Sequence, residues 1–182
     1  MGRYDVMMKV LSGVIALALF VFALFPAEAE AGTAKNTLKL LLNKGVMTVG
    51  DDIAAEDITQ FYYTYSSSTN PPKYQRYRFY AEDGAHWFYH EKREGRHWPL
   101  TEADITASGS VKLSDEQWAA FFDLVKGGRV EKRKEHLESG SSGPWLFLYW
   151  NGDRSKYQEF SFPSWGARKS FEEYCVRLKD AQ

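Results

Sequence analysis

The sequence predicts an α+β fold: a single mostly antiparallel sheet of about six or seven strands, with two helices packed on one face. Three observations lead there. From residue 58 onward, runs rich in aromatic and β-branched residues alternate with short polar turns, and short connections join antiparallel neighbours. Two other stretches, Trp118/Phe121/Phe122/Val125 and Phe171/Tyr174/Cys175/Leu178, fall at i, i+3, i+4 and i+7, the spacing of a helix that buries one stripe. The order is strands, helix, strands, helix. Each half carries aromatic strands ahead of its aromatic-faced helix, although the residues align too poorly to claim a duplication.

Residues 1–31 read as a cleaved signal peptide. Arg3 and Lys9 give a basic start, Val10 to Phe25 is a run of 16 apolar and small residues, and Pro26 breaks it. Ala27-Glu28-Ala29-Glu30-Ala31 then offers small residues at the spacing a signal peptidase reads. The cut is expected between Ala31 and Gly32, with a second choice after Ala29. The competing reading is an anchor held by an uncleaved N-terminal helix, but a spanning helix needs about 20 apolar residues. On the favoured reading the chain meets the membrane only in transit. Residues 32–57 are expected as a weakly ordered segment or a short helix, in which Leu38, Leu41 and Leu42 share a face and Gly45 is the stop. Residues 58–182 are expected as the single α+β domain.

Within that domain, Thr59 to Tyr65 is aromatic and β-branched, as strands are. Ser66 to Pro72 is a loop no strand continues through. Tyr74 to Ala81 and Ala85 to Glu91 form a hairpin around Asp83-Gly84, a pair that supplies the positive φ angles of a tight turn. That turn sets Arg76 opposite Glu91, Arg78 opposite Tyr89 and Tyr80 opposite Trp87 on one face. Gln75, Tyr77, Phe79, Ala81, His86, Phe88 and His90 occupy the other face, the expected core side. Ile105 to Leu113 alternates as a half-buried strand does. Ser114 begins a helix with a capping box to Gln117 and a Leu113–Trp118 staple, and Gly127-Gly128 ends it. The charged run Arg129 to Lys134 suits an edge strand. Trp145 to Trp150 reads as a central strand covered on both faces. Lys156 to Phe162 is a further strand, and the last helix covers Trp165 to Lys179, with Ser164 and Ser170 both suited to cap it.

Composition excludes several classes of function. Without the leader's Arg3 and Lys9, and its Asp5, Glu28 and Glu30, the totals of 23 basic and 24 acidic residues become 21 of each, with no net charge. A nucleic-acid binder normally shows a basic excess or stripe, so none is expected as partner. Cys175 is the only cysteine, so the core must hold the fold without an internal disulfide. Its place on the second helical stripe reads as a small buried side chain rather than a reactive thiol. No Asn-x-Ser/Thr sequon occurs at Asn36, Asn43, Asn70 or Asn151. Together these features fit a bacterial periplasmic or secreted protein.

No motif commits the chain to a chemistry. His86 and His90 are four residues apart, but on a strand that spacing separates their Cα atoms by about 13 Å, too far to chelate one ion. No Gly-x-Ser-x-Gly elbow is present, and Gly140-Ser141-Ser142-Gly143 lacks its spacing. No catalytic residue, metal or cofactor is therefore expected. The remaining signal is the hairpin face: Arg76, Arg78, Tyr80, Trp87 and Tyr89, with Tyr74, Glu91 and Arg93 beside them. Aromatic rings interleaved with arginine give rigid contact area and stacking surfaces for a partner. The bland alternative is that these rings only stack across strands and steady the sheet. The expected function is thus a non-catalytic binding or accessory domain acting on a partner protein or envelope polymer. The alternatives are a small hydrolase whose residues converge only on folding, and a protein inhibitor or structural envelope factor.

Overall fold

The computed structural model describes residues 45–132, 143–151 and 158–181. The leader, its cleavage site at Ala31 and Gly32, the leucine cluster at 38–42 and most of the 138–143 loop lie outside the described residues. Eight strands form one antiparallel sheet: β1 (Val46–Thr48), β2 (Ile58–Ser67), β3 (Lys73–Glu82), β4 (Ala85–Glu94), β5 (Ile105–Lys112), β6 (Arg129–Lys132), β7 (Trp145–Trp150) and β8 (Gln158–Ser161). Helix α1 (Asp115–Val125) follows β5, and α2 (Trp165–Asp180) follows β8. The spatial order is β1-β6-β8-β7-β2-β3-β4-β5. Strands β2 to β5 run as a meander, α1 carries the chain back across one face, and β6 to β8 complete the other half beside β2.

The β3–β4 hairpin has the register that its turn dictates. Glu82 faces Ala85, Tyr80 faces Trp87, Arg78 faces Tyr89 and Arg76 faces Glu91. Asp83 and Gly84 take φ of 51° and 71°, the left-handed pair a two-residue hairpin turn requires. Helix α1 starts as its capping box predicts: Gln117 N donates to Ser114 Oγ at 3.2 Å, and Ser114 N donates to Gln117 Oε1 at 2.8 Å. For α2 the cap is Ser164, whose Oγ accepts from Ala167 N at 3.1 Å.

Both helices pack on the same sheet face. Phe121 of α1 stacks on Phe79 of β3 with ring centroids 4.2 Å apart. Phe171 of α2 meets Phe61 of β2 at 5.3 Å and Phe79 at 5.7 Å. Tyr174 OH of α2 donates to Gln117 O of α1 at 2.7 Å and ties the helices together. Phe61, Phe79, Phe88, Phe121 and Phe171 are fully buried, each contributing on the order of 2–3 kcal/mol of transfer free energy. Cys175 is buried among them, so packing takes the place of a disulfide.

Two details differ from expectation. The sheet has eight strands rather than six or seven, and one of them falls at Val46–Thr48, within the segment 32–57 for which a weakly ordered stretch or a short helix is expected. β1 pairs with β6, Met47, Val49 and Ile53 are buried, and a short 3-10 turn at Ala55–Asp57 leads into β2. Trp118 Nε1 holds that turn by donating to Ala55 O at 3.3 Å. The charged strand β6 is not an edge either, because β1 and β8 flank it. Its one apolar residue, Val130, is buried while Arg129, Glu131 and Lys132 are exposed, so the charges point off the sheet and leave both hydrogen-bonding sides available. Among the described residues the edges are β1 and β5. No helix among the described residues is long and apolar enough to cross a membrane.

Candidate functional site

On the face away from the helices, the strand registers line up rows of side chains. The first row crosses Tyr149, Gln60, Tyr80, Trp87 and Lys112. The second crosses Phe147, Tyr62, Arg78, Tyr89 and Ser110, and the third crosses Trp145, Thr64, Arg76, Glu91 and Ser108. A fourth, shorter row holds Ser66, Tyr74 and Arg93. Solvent access grades across this array. Phe147, Thr64, Glu91 and all of the fourth row are buried, whereas Arg78, Tyr80, Trp87 and Tyr89 are half-exposed and Lys112, Ser110 and Ser108 are open. The accessible part is therefore the corner where β3, β4 and β5 meet.

All five residues picked out on this face, Arg76, Arg78, Tyr80, Trp87 and Tyr89, lie together on it. Alternation puts arginine between tyrosines, and the guanidiniums stack on the rings. Arg78 Cζ sits 4.1 Å from the centroid of Tyr80 and 5.5 Å from that of Tyr62. Arg76 lies 5.5 Å from Tyr74 and 5.9 Å from Tyr62, and Arg93 lies 4.3 Å from Tyr74. Tyr80 and Trp87 stack across strands at 6.4 Å. The expected cross-strand stacking thus exists, and it also presents the cations.

Glu91 is the acidic residue in the β2 to β5 part of these rows, while Glu82, exposed at the hairpin end beyond Tyr80, and Glu159, opposite Phe147 on β8, lie on the same face. Glu91 accepts from Arg93 Nε at 2.5 Å and from Tyr89 OH at 2.7 Å. Burial, followed by the bond to Glu91, pushes the Tyr89 phenol up to about 12, so it stays protonated. Arg76 Nε donates to Thr64 Oγ1 at 3.3 Å. Arg78 makes no hydrogen bond or ion pair among the described residues, and its buried Nε has no acceptor. An arginine held by rings alone keeps its donors for an incoming acceptor.

A second feature escaped the sequence reading. At the junction of α2 with β2 and β3 lies an open groove of about 770 Å³, with Tyr63, Tyr65 and Tyr77 among its lining residues and the α2 face from Arg168 to Arg177 beside them. Tyr63 OH donates to Glu172 Oε1, and Arg168 Nη2 donates to Tyr63 OH at 2.6 Å. Arg168 Nε completes the triangle by donating to Glu172 Oε1 at 2.9 Å. Burial and the Glu172 carboxylate push the Tyr63 phenol far above its ordinary value, so it serves as a hydrogen-bond relay rather than a base. The i, i+4 spacing of Arg168 and Glu172 was visible, but their meeting with Tyr63 needs the tertiary fold.

His86 and His90 occupy structural places. His86 stacks on Trp118 at 4.0 Å and 6°, and His90 is buried beside the Phe88 ring. Among the described residues, no group of three or more His, Cys, Asp or Glu side chains is placed to hold a metal ion.

Fold and face together define an antiparallel α+β domain with a cationic, aromatic sheet surface. No protein-family model, no curated protein and no solved structure matches the chain.

Proposed function

We propose that this chain is an exported bacterial binding domain, without catalytic activity of its own, that holds an anionic envelope polymer on the exposed corner of its sheet. The observation that carries this reading is Arg78, a half-buried guanidinium clamped by Tyr62 and Tyr80, whose buried Nε has no acceptor among the described residues. Lys112, on the next row at the open edge, adds a second cation, and Trp87 gives a flat apolar surface between them. Glu91 does not neutralise the corner, because Arg93 and Tyr89 already share it. A chain with repeated phosphates or carboxylates would give bidentate acceptors to Arg78 and lie along the ring surface. Export itself rests on the leader at residues 1–31.

The test is calorimetric titration of the purified protein with a glycerol-phosphate polymer and with poly-L-glutamate. Binding should weaken as salt rises, since contacts at a partly exposed cationic face are screened. Replacing Arg78 and Trp87 together by Ala should lower affinity at least tenfold while far-UV circular dichroism and a cooperative denaturation transition are retained. Equal binding by the folded double variant would sink this reading.

A further inference from the structure

Among the described residues, strand β5 ends the sheet with an unpaired side, which natural proteins usually protect. The opposite edge, β1, is only three residues long, but β5 is eight. Six of those eight residues are exposed, from Ile105 to Ser108 together with Ser110 and Lys112. The strand holds no proline and a single charge, Lys112. Its one protective device is a register shift near Thr106, which leaves residues 107–112 regular. The free hydrogen-bonding groups can be assigned. Leu113 N donates to His86 O at 2.9 Å, and orientation alternates along an antiparallel ladder. Ala107, Gly109 and Val111 therefore turn inward to β4, while Ser108, Ser110 and Lys112 point their N–H and C=O groups outward.

We propose that β5 is the interface of a two-fold homodimer, in which the strand pairs antiparallel with β5 of a second copy about an axis at Gly109. In that register Ser108 faces Ser110 in both directions, so their outward groups exchange hydrogen bonds. Ala107 faces Val111, and Gly109 meets its own copy at a non-hydrogen-bonded position, where Cα atoms approach to about 4.5 Å and the lack of a side chain removes any clash. The ends of the strand select this partner over an arbitrary peptide. Antiparallel pairing brings Lys112, at one end of β5, toward the turn that precedes β5 of the second copy, where Asp104 lies beyond the register shift. Glu102, exposed in the same turn, adds to the acidic end. The two-fold repeats each contact, as a closed isologous interface must. The axis runs normal to the sheet, so both copies turn the same face to the same side.

Sedimentation velocity on the purified protein, from about 1 to 200 μM, tests this directly. A concentration-dependent dimer is expected. Ser110→Pro removes an outward N–H at an edge position where proline is tolerated, and should give a monomer with unchanged near-UV circular dichroism. Lys112→Glu places like charges at both ends and should raise the dimer dissociation constant about tenfold, as two modest ion pairs become repulsive. A monomer throughout the range, or a dimer indifferent to Lys112→Glu, would overturn the proposal. A monomer that captures an extended peptide along β5 would overturn it equally.

Discussion

Glu91 shows what single residues do on the polar face. It is buried with 5 % of its surface exposed, yet both carboxylate oxygens have donors, Arg93 on one and Tyr89 on the other. Removing it strands a buried guanidinium, and breaking such a pair costs far more than a surface bridge does. Glu91→Ala should destabilise the protein by about 3 kcal/mol in chemical denaturation. Glu91→Leu combined with Arg93→Met should recover most of that loss, because no unpaired charge then remains buried. The sequence placed Glu91 opposite Arg76 across the hairpin, and the register agrees. The closest ion pair instead runs along β4 to Arg93, two residues away on the same face. Alternation allowed either partner; Arg93 is further held by Leu100, whose carbonyl accepts from its Nη1 at 3.4 Å. Cys175 makes the opposite case. Complete burial raises its thiol well above the ordinary value, so it is neither exposed nor ionised. It should resist a disulfide-exchange reagent in the folded protein and react fully once denaturant unfolds it.

At the level of elements, what was legible is what depends on neighbours in sequence. The hairpin register follows from Asp83-Gly84, and α1 follows from Ser114, Gln117 and a four-residue apolar stripe. Ser114→Ala should therefore cost about 1 kcal/mol through loss of the cap alone. Two glycines separate local from tertiary constraint. Gly84 has φ +71° with open space around it, so Gly84→Ala should cost about 1 kcal/mol of backbone strain and nothing more. At Gly128 an added Cβ would lie 2.3 Å from the Phe160 ring. Gly128→Ala should therefore cost more, up to about 3 kcal/mol, as overpacked cores do. Thermal unfolding of the three variants ranks them. The elements that escaped the reading are β1, which is three residues long, and the interior position of β6. Neither carries a long periodic pattern, and both exist through pairing with strands distant in sequence. The polar face was readable as a set of residues, because alternation and one turn fix which side chains share it. Its grading from buried to open was not, since that depends on what packs above each row. The α2 groove was hidden for the same reason.

The molecule as a whole responds to pH on both sides, and the signs follow from its buried aromatic groups. Burial pushes Tyr77, Tyr89 and Tyr174 up to about 12, and Tyr63 beyond that. A phenol whose folded value lies above its unfolded value of about 10 stabilises the fold below pH 10, and that contribution drains away as pH rises toward 12. All four sit on the sheet or on α2, so their ionisation is tied to unfolding. Absorbance at 295 nm should show exposed tyrosines titrating first, then a cooperative step coincident with loss of near-UV circular dichroism. A single smooth titration of every tyrosine near pH 10 would contradict the buried network. On the acid side His86 contributes. Burial lowers its imidazole below the ordinary 6.5, and Asp115 only partly opposes this. The unfolded chain therefore takes up this proton before the folded one does, so stability is complete above about 6.5 and falls as pH drops below it, until the folded imidazole is itself charged. Asp104, Glu94 and Glu116 are lowered by hydrogen bonds, so their small contributions are lost at more acid pH. His86→Phe keeps a flat ring for Trp118 to stack on and removes the proton site. The denaturation midpoint of this variant should change less between pH 7.5 and pH 5.5 than that of the parent, which separates the imidazole from the carboxylates that titrate below it.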